Sequence, residues 1–217
     1  MTTDCVMFGV ASPMVADVHG ILHRLDWTVH GFVNGVDGAE PEGIPSWTGL
    51  DGIDPAWLDL DVVIPIFTPG HRRDAVEQAR TVGFTTMATV IDPTAVVAPR
   101  TETGEGVLVN AGAIVAAGVA VGDFVHLNRG ANVGHDVVLE DYASLAPGCV
   151  LTGGVHVERG AFVGAGAVIT PGVRVGANAV VGAGAVVVRD VDERTIVVGN
   201  PAAVQRSDIV GYKGVAA

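Results

Sequence analysis

From Leu127 to Ile169 the sequence reads LNRGANVGHDVVLEDYASLAPGCVLTGGVHVERGAFVGAGAVI, in which an aliphatic residue returns at every sixth position. The same step extends in both directions, and 16 of its 17 members are Val, Leu or Ile. A period of six is neither the helical period of 3.6 nor the alternation of a flat strand. It is typical of a parallel β-helix, in which each coil wraps three short strands around a triangular core. The members are Ile91, Val97, Thr103, Val109, Val115, Val121, Leu127, Val133, Leu139, Leu145, Leu151, Val157, Val163, Ile169, Val175, Val181 and Val187.

A second inward position accompanies the aliphatic one. Four residues after each aliphatic residue stands mostly Ala or Val, and once Cys149. We therefore expect one aliphatic and one small residue per strand to fill the interior, and the Cys149 thiol to be buried and unreactive. Corner glycines such as Gly134 and Gly164 suit turns that need an unusual φ or a close approach of the backbone. A generic Val-rich β-sandwich, the alternative interpretation, would not keep one register over so many hexads.

The repeat has clear limits. With 18 residues per coil, residues 91–190 give about five and a half coils. At Thr103 the pattern falters, and we interpret residues 100–106 as a loop near the first, least regular coil. The hexads stop after Val191, residues 195–198 predict one more strand, and residues 205–217 form a C-terminal tail.

The residues before the repeat predict a small α/β domain. Strands are expected at 5–10, 28–33 and 61–67, with Pro65 confining the last to a strand end or an edge. Ser12 and Pro13 are typical of a helix start, and Gly83 is typical of the end of a second helix over residues 71–82. Because Gly9 stands without the G-x-G-x-x-G pattern, we interpret the first strand–helix turn as structural rather than as a dinucleotide site. The sequence thus predicts three parts of the chain: the α/β domain at 1–90, the β-helix at 91–204 and the C-terminal tail at 205–217.

Composition narrows the function. The 217 residues carry a formal net charge of −12, which argues against nucleic acid or an anionic membrane as a partner. Apolar residues make up 49% and aromatic residues only 5%, which suits a narrow β-helix interior. The two cysteines fall in apolar strand patterns, and an unstapled chain with buried thiols indicates a reducing, cytoplasmic setting. The N-terminus lacks the pattern of a signal peptide.

Four motifs carry a resemblance. They are Gly134-His135-Asp136, the segments GAGAVI at 164–169 and GAGAVV at 182–187, and the closing VGNPA at 198–202. Together with the α/β region, the sequence resembles the hexapeptide-repeat acyltransferases. It is most similar to the sugar acetyltransferases that include sialic acid O-acetyltransferases and N-acetyltransferases of nucleotide-linked 4-amino sugars. The resemblance implies a Rossmann-like N-terminal domain before a left-handed β-helix, a homotrimer with active sites between neighbouring β-helices, and acetyl-CoA as donor.

The resemblance also implies roles for particular residues. The general base matches His135, with Asp136 beside it as the acidic partner. Contacts to the thiol arm of CoA match Ser144, Ala165 and Ala183, and the acceptor pocket matches Val10, Ala11, Ser12 and Asn34. Two departures lie on the acceptor side: Pro13 stands where the family often has a histidine, and Asn34-Gly35 replaces acidic residues. The resemblance implies that the acceptor is an amine or hydroxyl of a sugar, in particular of a nucleotide-linked amino sugar.

The residues themselves suit acyl transfer from a thioester. The attacking amine or hydroxyl must lose a proton, and the imidazole of His135 can accept it, since imidazole is a common general base in enzymes. A neighbouring carboxylate such as Asp136 fixes its tautomer. The other histidines are interpreted as surface residues, although His126 lies half a coil from His135 and is the alternative base. Arg72 or Arg73 is either a solvated helix residue or a ligand for an acceptor phosphate.

Other interpretations stay open at this point. The two cysteines, Cys5 and Cys149, do not form a C-x-x-C pattern, and we predict no catalytic metal. A non-catalytic β-helix scaffold would not need to keep His135 and its small-residue groove. The same donor chemistry could also serve a non-sugar acceptor, because both departures affect the acceptor side.

Overall fold

The computed structural model describes residues 3–9, 12–34 and 48–217, which form a short N-terminal sheet, a β-helix and a C-terminal tail. The N-terminal elements are β1 (Asp4–Phe8), α1 (Val15–Arg24), β2 (Thr28–Asn34), β3 (Thr48–Gly49), β4 (Asp61–Val63) and α2 (Pro69–Thr81). Short 3₁₀ turns cover Leu50–Gly52 and Pro55–Trp57. The strands are parallel in the order β3-β2-β1-β4. In place of the expected Rossmann-like domain, the structure shows a short parallel sheet with two small helices.

The alternation of side chains along β1 positions both helices. Cys5 and Met7 pack with α1, whereas Val6 and Phe8 point to the other side and pack with α2. Successive side chains of a strand point to opposite faces, so a fully apolar strand is covered on both sides. Helix α1 starts at Val15, two residues later than the predicted start at Pro13. The reason is that residues 12–14 form a turn, which Val15 N–H closes by donating to Ser12 O at 3.1 Å.

The remaining strands wind as a left-handed β-helix, which confirms the prediction from the hexads. They are β5 (Val90–Ile91), β6 (Val96–Val97), β7 (Glu102–Thr103), β8 (Leu108–Val109), β9 (Ile114–Val115), β10 (Ala120–Val121), β11 (His126–Leu127), β12 (Asn132–Val133), β13 (Val138–Leu139), β14 (Ser144–Leu145), β15 (Val150–Leu151), β16 (His156–Val157), β17 (Phe162–Val163), β18 (Val168–Ile169), β19 (Arg174–Val175), β20 (Val180–Val181), β21 (Val186–Val187), β22 (Ile196–Gly199) and β23 (Ala202–Arg206).

Three parallel sheets make the three faces of the prism. The first face contains β5, β8, β11, β14, β17, β20 and β22, and the antiparallel β23 ends it. The second face contains β6, β9, β12, β15, β18 and β21, and the third contains β7, β10, β13, β16 and β19. Neighbouring strands pair with a shift of 18 residues, as in Asn132 with Val150. The six strands of the second face correspond to about six coils, close to the number predicted.

The interior is built from the two predicted positions of each hexad. Aliphatic residues such as Leu127 and Leu145 and small residues such as Ala131 and Ala143 are fully buried in one continuous core. Cys149 belongs to this core, and burial raises the pKa of its thiol to about 12, as expected for an inward position. Thr103 was wrongly assigned to a loop. It lies in β7, paired with β10, so the coil continues through this polar position.

The outward side of the first face carries the N-terminal sheet. Phe67, which follows β4, packs edge-on against His126 and Phe162 with ring centroids 5.0 and 5.4 Å apart. Phe124 and Tyr142 join the same hydrophobic cluster as α2. Positions that point outward on this face are therefore buried, although the same positions on the other two faces are open.

The C-terminal tail is ordered along the same face. Ile209 is buried against Phe162 and Val180, and its N–H donates to Arg194 O at 3.0 Å. Tyr212, in a 3₁₀ turn over Tyr212–Gly214, stacks on Phe162 with ring centroids 3.6 Å apart. The tail ends where Ala217 N–H donates to Asn178 Oδ1 at 2.8 Å.

Candidate active site

The candidate base lies at a corner between the second and third faces. β12 ends at Val133 and β13 begins at Val138, and the turn between them places His135 and Asp136 outside the prism. Asp136 adopts a φ of 57°, in the left-handed region that Asp and Asn tolerate better than most non-glycine residues. At the same turn position, the coils on either side have Gly118 and Gly154, with φ of 74° and 70°.

His135 and Asp136 form a hydrogen-bonded pair. His135 Nδ1 lies 2.8 Å from Asp136 Oδ2, and both side chains are about three-quarters exposed in the single chain, at 72% and 74%. A carboxylate accepts only, so Nδ1 carries the hydrogen in this contact. The lone pair then lies on Nε2, which is the arrangement that a general base needs.

Glycines in the neighbouring coils leave room for both side chains. A Cβ at Gly153 would lie 2.5 Å from Cε1 and Nε2 of His135. A Cβ at Gly118 would collide with Asp136 Oδ1. The pair therefore rests on two backbone segments that carry no side chain, and a residue other than glycine at Gly153 would displace the imidazole.

The predicted donor contacts fall into two groups. Ala165 and Ala183 are exposed and stacked in adjacent coils at the corner between the first and second faces, where Gly184 N–H donates to Ala165 O at 2.8 Å. Ser144 lies apart from them. It is fully buried on the first face, where its hydroxyl donates to Phe67 O at 2.8 Å and accepts from Arg72 at 2.9 Å. This burial argues against a contact between Ser144 and a CoA thiol arm.

A pocket of about 560 Å³ opens at the carboxyl ends of β1 and β4. We call it the switch-point pocket, because the chain leaves β1 toward β2 on one side while β4 lies on the other. Ligands of parallel α/β sheets bind at such points. Gly9, Ser12 and Phe67 line it from the sheet, and Asp74 of α2 and Lys213 of the tail complete it. Of the predicted acceptor residues, Ser12 lines this pocket, whereas Val10, Ala11 and the side chain of Asn34 lie outside the described residues.

The candidate base and the switch-point pocket lie on opposite sides of the prism. The N-terminal sheet covers the first face, and the corner of His135 is the vertex between the other two faces. A vertex of a triangular prism points away from the opposite face. One chain therefore does not bring His135 and its own switch-point pocket together.

His126 was wrongly interpreted as a surface residue. It is fully buried between Phe67 and Asn110, whose Nδ2 lies 2.8 Å from Nε2. Burial, reinforced by the positive charge of Arg72, holds the pKa of His126 well below its usual value. It lies on the first face, away from the corner of His135, so it does not serve as the alternative base. The hexad pattern missed this because it does not show which outward position another element covers.

Arg72 was also placed wrongly. It is only 2% exposed, and it neither faces solvent nor reaches a ligand. Its guanidinium donates to Phe124 O and Tyr142 O at 2.8 Å, to Ile66 O at 2.7 Å, and to Ser144 Oγ at 2.9 Å. Burial lowers its pKa to about 9. Arg72 therefore remains charged at neutral pH and joins α2 to two β-helix corners through neutral oxygens.

The described ranges contain neither a cluster of metal ligands nor a membrane-spanning helix. No group of three or more His, Cys, Asp or Glu side chains there is arranged to hold a metal ion. Neither helix described is long and apolar enough to cross a membrane.

Comparison with known proteins identifies the family of the chain. The family model "Bacterial transferase hexapeptide (six repeats)" matches residues 154–189. A mutant of perosamine N-acetyltransferase from Caulobacter crescentus, in complex with CoA and GDP-perosamine, is 32% identical, with a TM-score of 0.83 over 95% of this chain and 98% of that one. No curated protein gives a significant match.

Two further solved structures are similar over almost the full length. The acetyltransferase domain of PglB from Neisseria gonorrhoeae, in complex with acetyl coenzyme A, is 29% identical with a TM-score of 0.83, covering 94% of this chain and 100% of that one. WeeI from Acinetobacter baumannii is 27% identical with a TM-score of 0.78 over the same shares. With the hexad repeat, the β-helix and a 32% identical relative matched along 98% of its length, the chain belongs to the hexapeptide-repeat sugar acetyltransferase family and is an acyltransferase.

Proposed function

We propose that the protein transfers the acetyl group of acetyl-CoA to the amino group of a nucleotide-linked amino sugar, with His135 as general base. The observation that carries this proposal is the full-length likeness to perosamine N-acetyltransferase, whose structure contains CoA and GDP-perosamine. The His135–Asp136 pair supports it independently, because a scaffold would have no need for a base held on glycines. An amine acceptor is favoured over a hydroxyl because that relative is an N-acetyltransferase.

The proposed reaction is a direct attack. The acceptor nitrogen bonds to the thioester carbonyl carbon, and the carbon–sulfur bond breaks as the oxyanion collapses. His135 Nε2 takes the proton that the nitrogen loses, and Asp136 stabilises the imidazolium that forms. The proton then leaves with the CoA sulfur, so no other reactant is required. Backbone N–H groups at the corners are the candidate donors to the oxyanion.

The proposed donor site runs along the second face. The corner of Ala165 and Ala183 borders this face on one side, and the corner of His135 borders it on the other. Small exposed residues let a thin pantetheine arm lie against the backbone. In this arrangement the thiol arm reaches the corner of His135 along the second face.

The proposed acceptor site is the switch-point pocket of a neighbouring copy. In a homotrimer, the second face of one chain would be covered, and its His135 would meet a pocket that its own sheet cannot offer. We infer on the same grounds that residues 1–90 form a reduced Rossmann-like acceptor domain and residues 91–204 the acyltransferase domain. Pro13 lines the pocket where the family often has a histidine, so the acceptor is held here without that side chain.

The test is an assay of purified protein with acetyl-CoA and a panel of GDP-, UDP- and dTDP-linked 4-amino sugars. We expect thiol release and a product heavier by one acetyl group for one member of the panel. Replacement of His135 by Ala should lower kcat roughly 10²–10⁴-fold with little change in acetyl-CoA binding. Asp136→Asn should give a smaller loss, because it removes the orienting carboxylate and leaves the base.

His156→Ala is the matched control. His156 also pairs with a carboxylate, that of Glu140 at 2.7 Å, but it lies in β16 on the third face and not in the turn that carries His135. Its replacement should leave kcat nearly unchanged. Near-normal turnover by the His135 variant would exclude the base, and acetylation of non-sugar amines alone would exclude the proposed acceptor.

A further inference from the structure

The C-terminal tail forms part of the wall of the switch-point pocket. Beyond the stack of Tyr212 on Phe162, the tail presses against the start of α2, where a Cβ at Gly70 would lie 2.5 Å from Ala216 O and from Val215 Cγ1. Only glycine permits this approach. Tyr212 and Lys213 are thereby held at the pocket, opposite Ser12 and Asp74.

Lys213 brings a positive charge to the described lining of the pocket. It is the only lysine of the chain, and its Nζ lies 5.8 Å from the centroid of the Tyr212 ring. Within the described parts of the chain Lys213 takes part in no ion pair. The carboxylate of Asp74, which also lines the pocket, is ion-paired with Arg73 at 2.5 Å. Among the described lining residues, Lys213 is therefore an exposed cation outside any ion pair.

The positive charge of Lys213 favours the binding of an anionic ligand to an otherwise acidic protein. The formal net charge of −12 repels an anionic ligand, so an acceptor with a diphosphate requires local positive charge. Thr68 and His71, at the start of α2, line the same pocket, and a helix N-terminus carries a partial positive charge. The ammonium of Lys213 can form charge-assisted hydrogen bonds to phosphate oxygens.

We propose that Lys213 binds the diphosphate of the nucleotide-linked acceptor, so that the C-terminal tail decides which acceptors enter the pocket. This inference rests on the proposed function, since it takes the acceptor to be a nucleotide sugar. Lys213 touches the non-reacting part of that substrate. Its loss should therefore raise the acceptor KM and leave kcat at saturation nearly unchanged.

The first test is chemical labelling of the wild-type protein, because a single lysine can be followed without ambiguity. An amine-specific reagent is applied with and without GDP, UDP or dTDP, and the modified peptide is quantified by mass spectrometry. We expect one of these nucleotides to slow the labelling of Lys213 several-fold, and the corresponding nucleoside, which lacks phosphate, to give no protection.

The second test measures binding of the same nucleoside diphosphate to variants. Lys213→Gln should weaken Kd roughly 10–100-fold, the effect of losing a hydrogen bond between charged groups, and Lys213→Arg should retain most of the affinity. Arg174→Gln is the control of equal charge change, because Arg174 lies on the third face, ion-paired with Glu158 at 3.0 Å. It should leave Kd unchanged.

The outcomes separate the two proposals. Unprotected Lys213, or an unchanged Kd in Lys213→Gln, overturns the phosphate contact even when a nucleotide sugar is acetylated. Protection of Lys213 together with failure to acetylate every nucleotide sugar leaves the phosphate contact standing and overturns the proposed reaction. Absence of nucleoside diphosphate binding by the wild-type protein overturns this inference as well.

Discussion

At the scale of single residues, Arg72 is the side chain on which the docking of α2 depends most. Arg72→Met leaves the buried oxygens of Phe124, Tyr142 and Ser144 without a donor, and each unsatisfied group costs about 1–3 kcal/mol. For the loss of such a network we expect roughly 3–5 kcal/mol, or a fall in Tm of roughly 6–20 °C for a chain of this size, measured by thermal denaturation.

Arg73→Met is the control from the next position of the same helix. Arg73 is on the surface and pairs with Asp74 and Glu77, and such exposed pairs contribute only about 0–1 kcal/mol. A similar fall in Tm for both variants would mean that charge on α2, rather than the buried hydrogen bonds of Arg72, stabilises the docking.

At the scale of elements, the corner that carries His135 depends on the coil that follows it. Gly153→Ala would place a methyl group 2.5 Å from the imidazole, so His135 must move. We expect a fall in kcat of roughly 10-fold or more, since catalysis is sensitive to misplacement of about 1 Å, with a nearly unchanged Tm. Gly20→Ala in α1 is the control, because its Cβ meets only Arg24 at 3.6 Å. Equal kcat values for wild type and Gly153→Ala would contradict this positioning.

At the scale of the whole molecule, the second face is the apolar face of the prism that the described chain leaves open. Its outward column contains Val96 and Ile114, 63% and 44% exposed, then the polar Asn132, and then Val150, Val168 and Val186. The third face instead presents charged residues such as Glu102 and Arg174. An exposed apolar column of this length is typical of a surface buried in an oligomer.

The corresponding prediction is a homotrimer with a mass about three times the 22.1 kDa of the chain, measured by light scattering. Val168→Glu should dissociate it and abolish activity, because an unpaired charge would be buried and the active site would lose its second chain. Val138→Glu, the same change on the third face, should keep both the mass and the activity. An active monomer of the wild-type chain would contradict this assembly.

The sequence by itself determined the β-helix, the inward position of Cys149 and the corner of His135. The reason is that each hexad has nearly the same surroundings as the next. The repeat alone therefore shows which positions point inward, whatever the distant parts of the chain do. The strand predicted over residues 61–67 was too long. In the structure β4 ends at Val63, two residues before Pro65. The resemblance in turn pointed to an acyltransferase, which the full-length comparisons confirm.

Only the tertiary structure decided what covers each face. His126, Ser144 and Phe162 occupy the same outward position as His156 and Arg174, and nothing in a hexad distinguishes them. Their burial depends on the docking of the N-terminal sheet and the tail, which are joined to them by contacts between residues far apart in sequence. For the same reason Arg72 became an internal donor and Lys213 reached the switch-point pocket: the side chain alone sets the available chemistry, and packing determines where it can act.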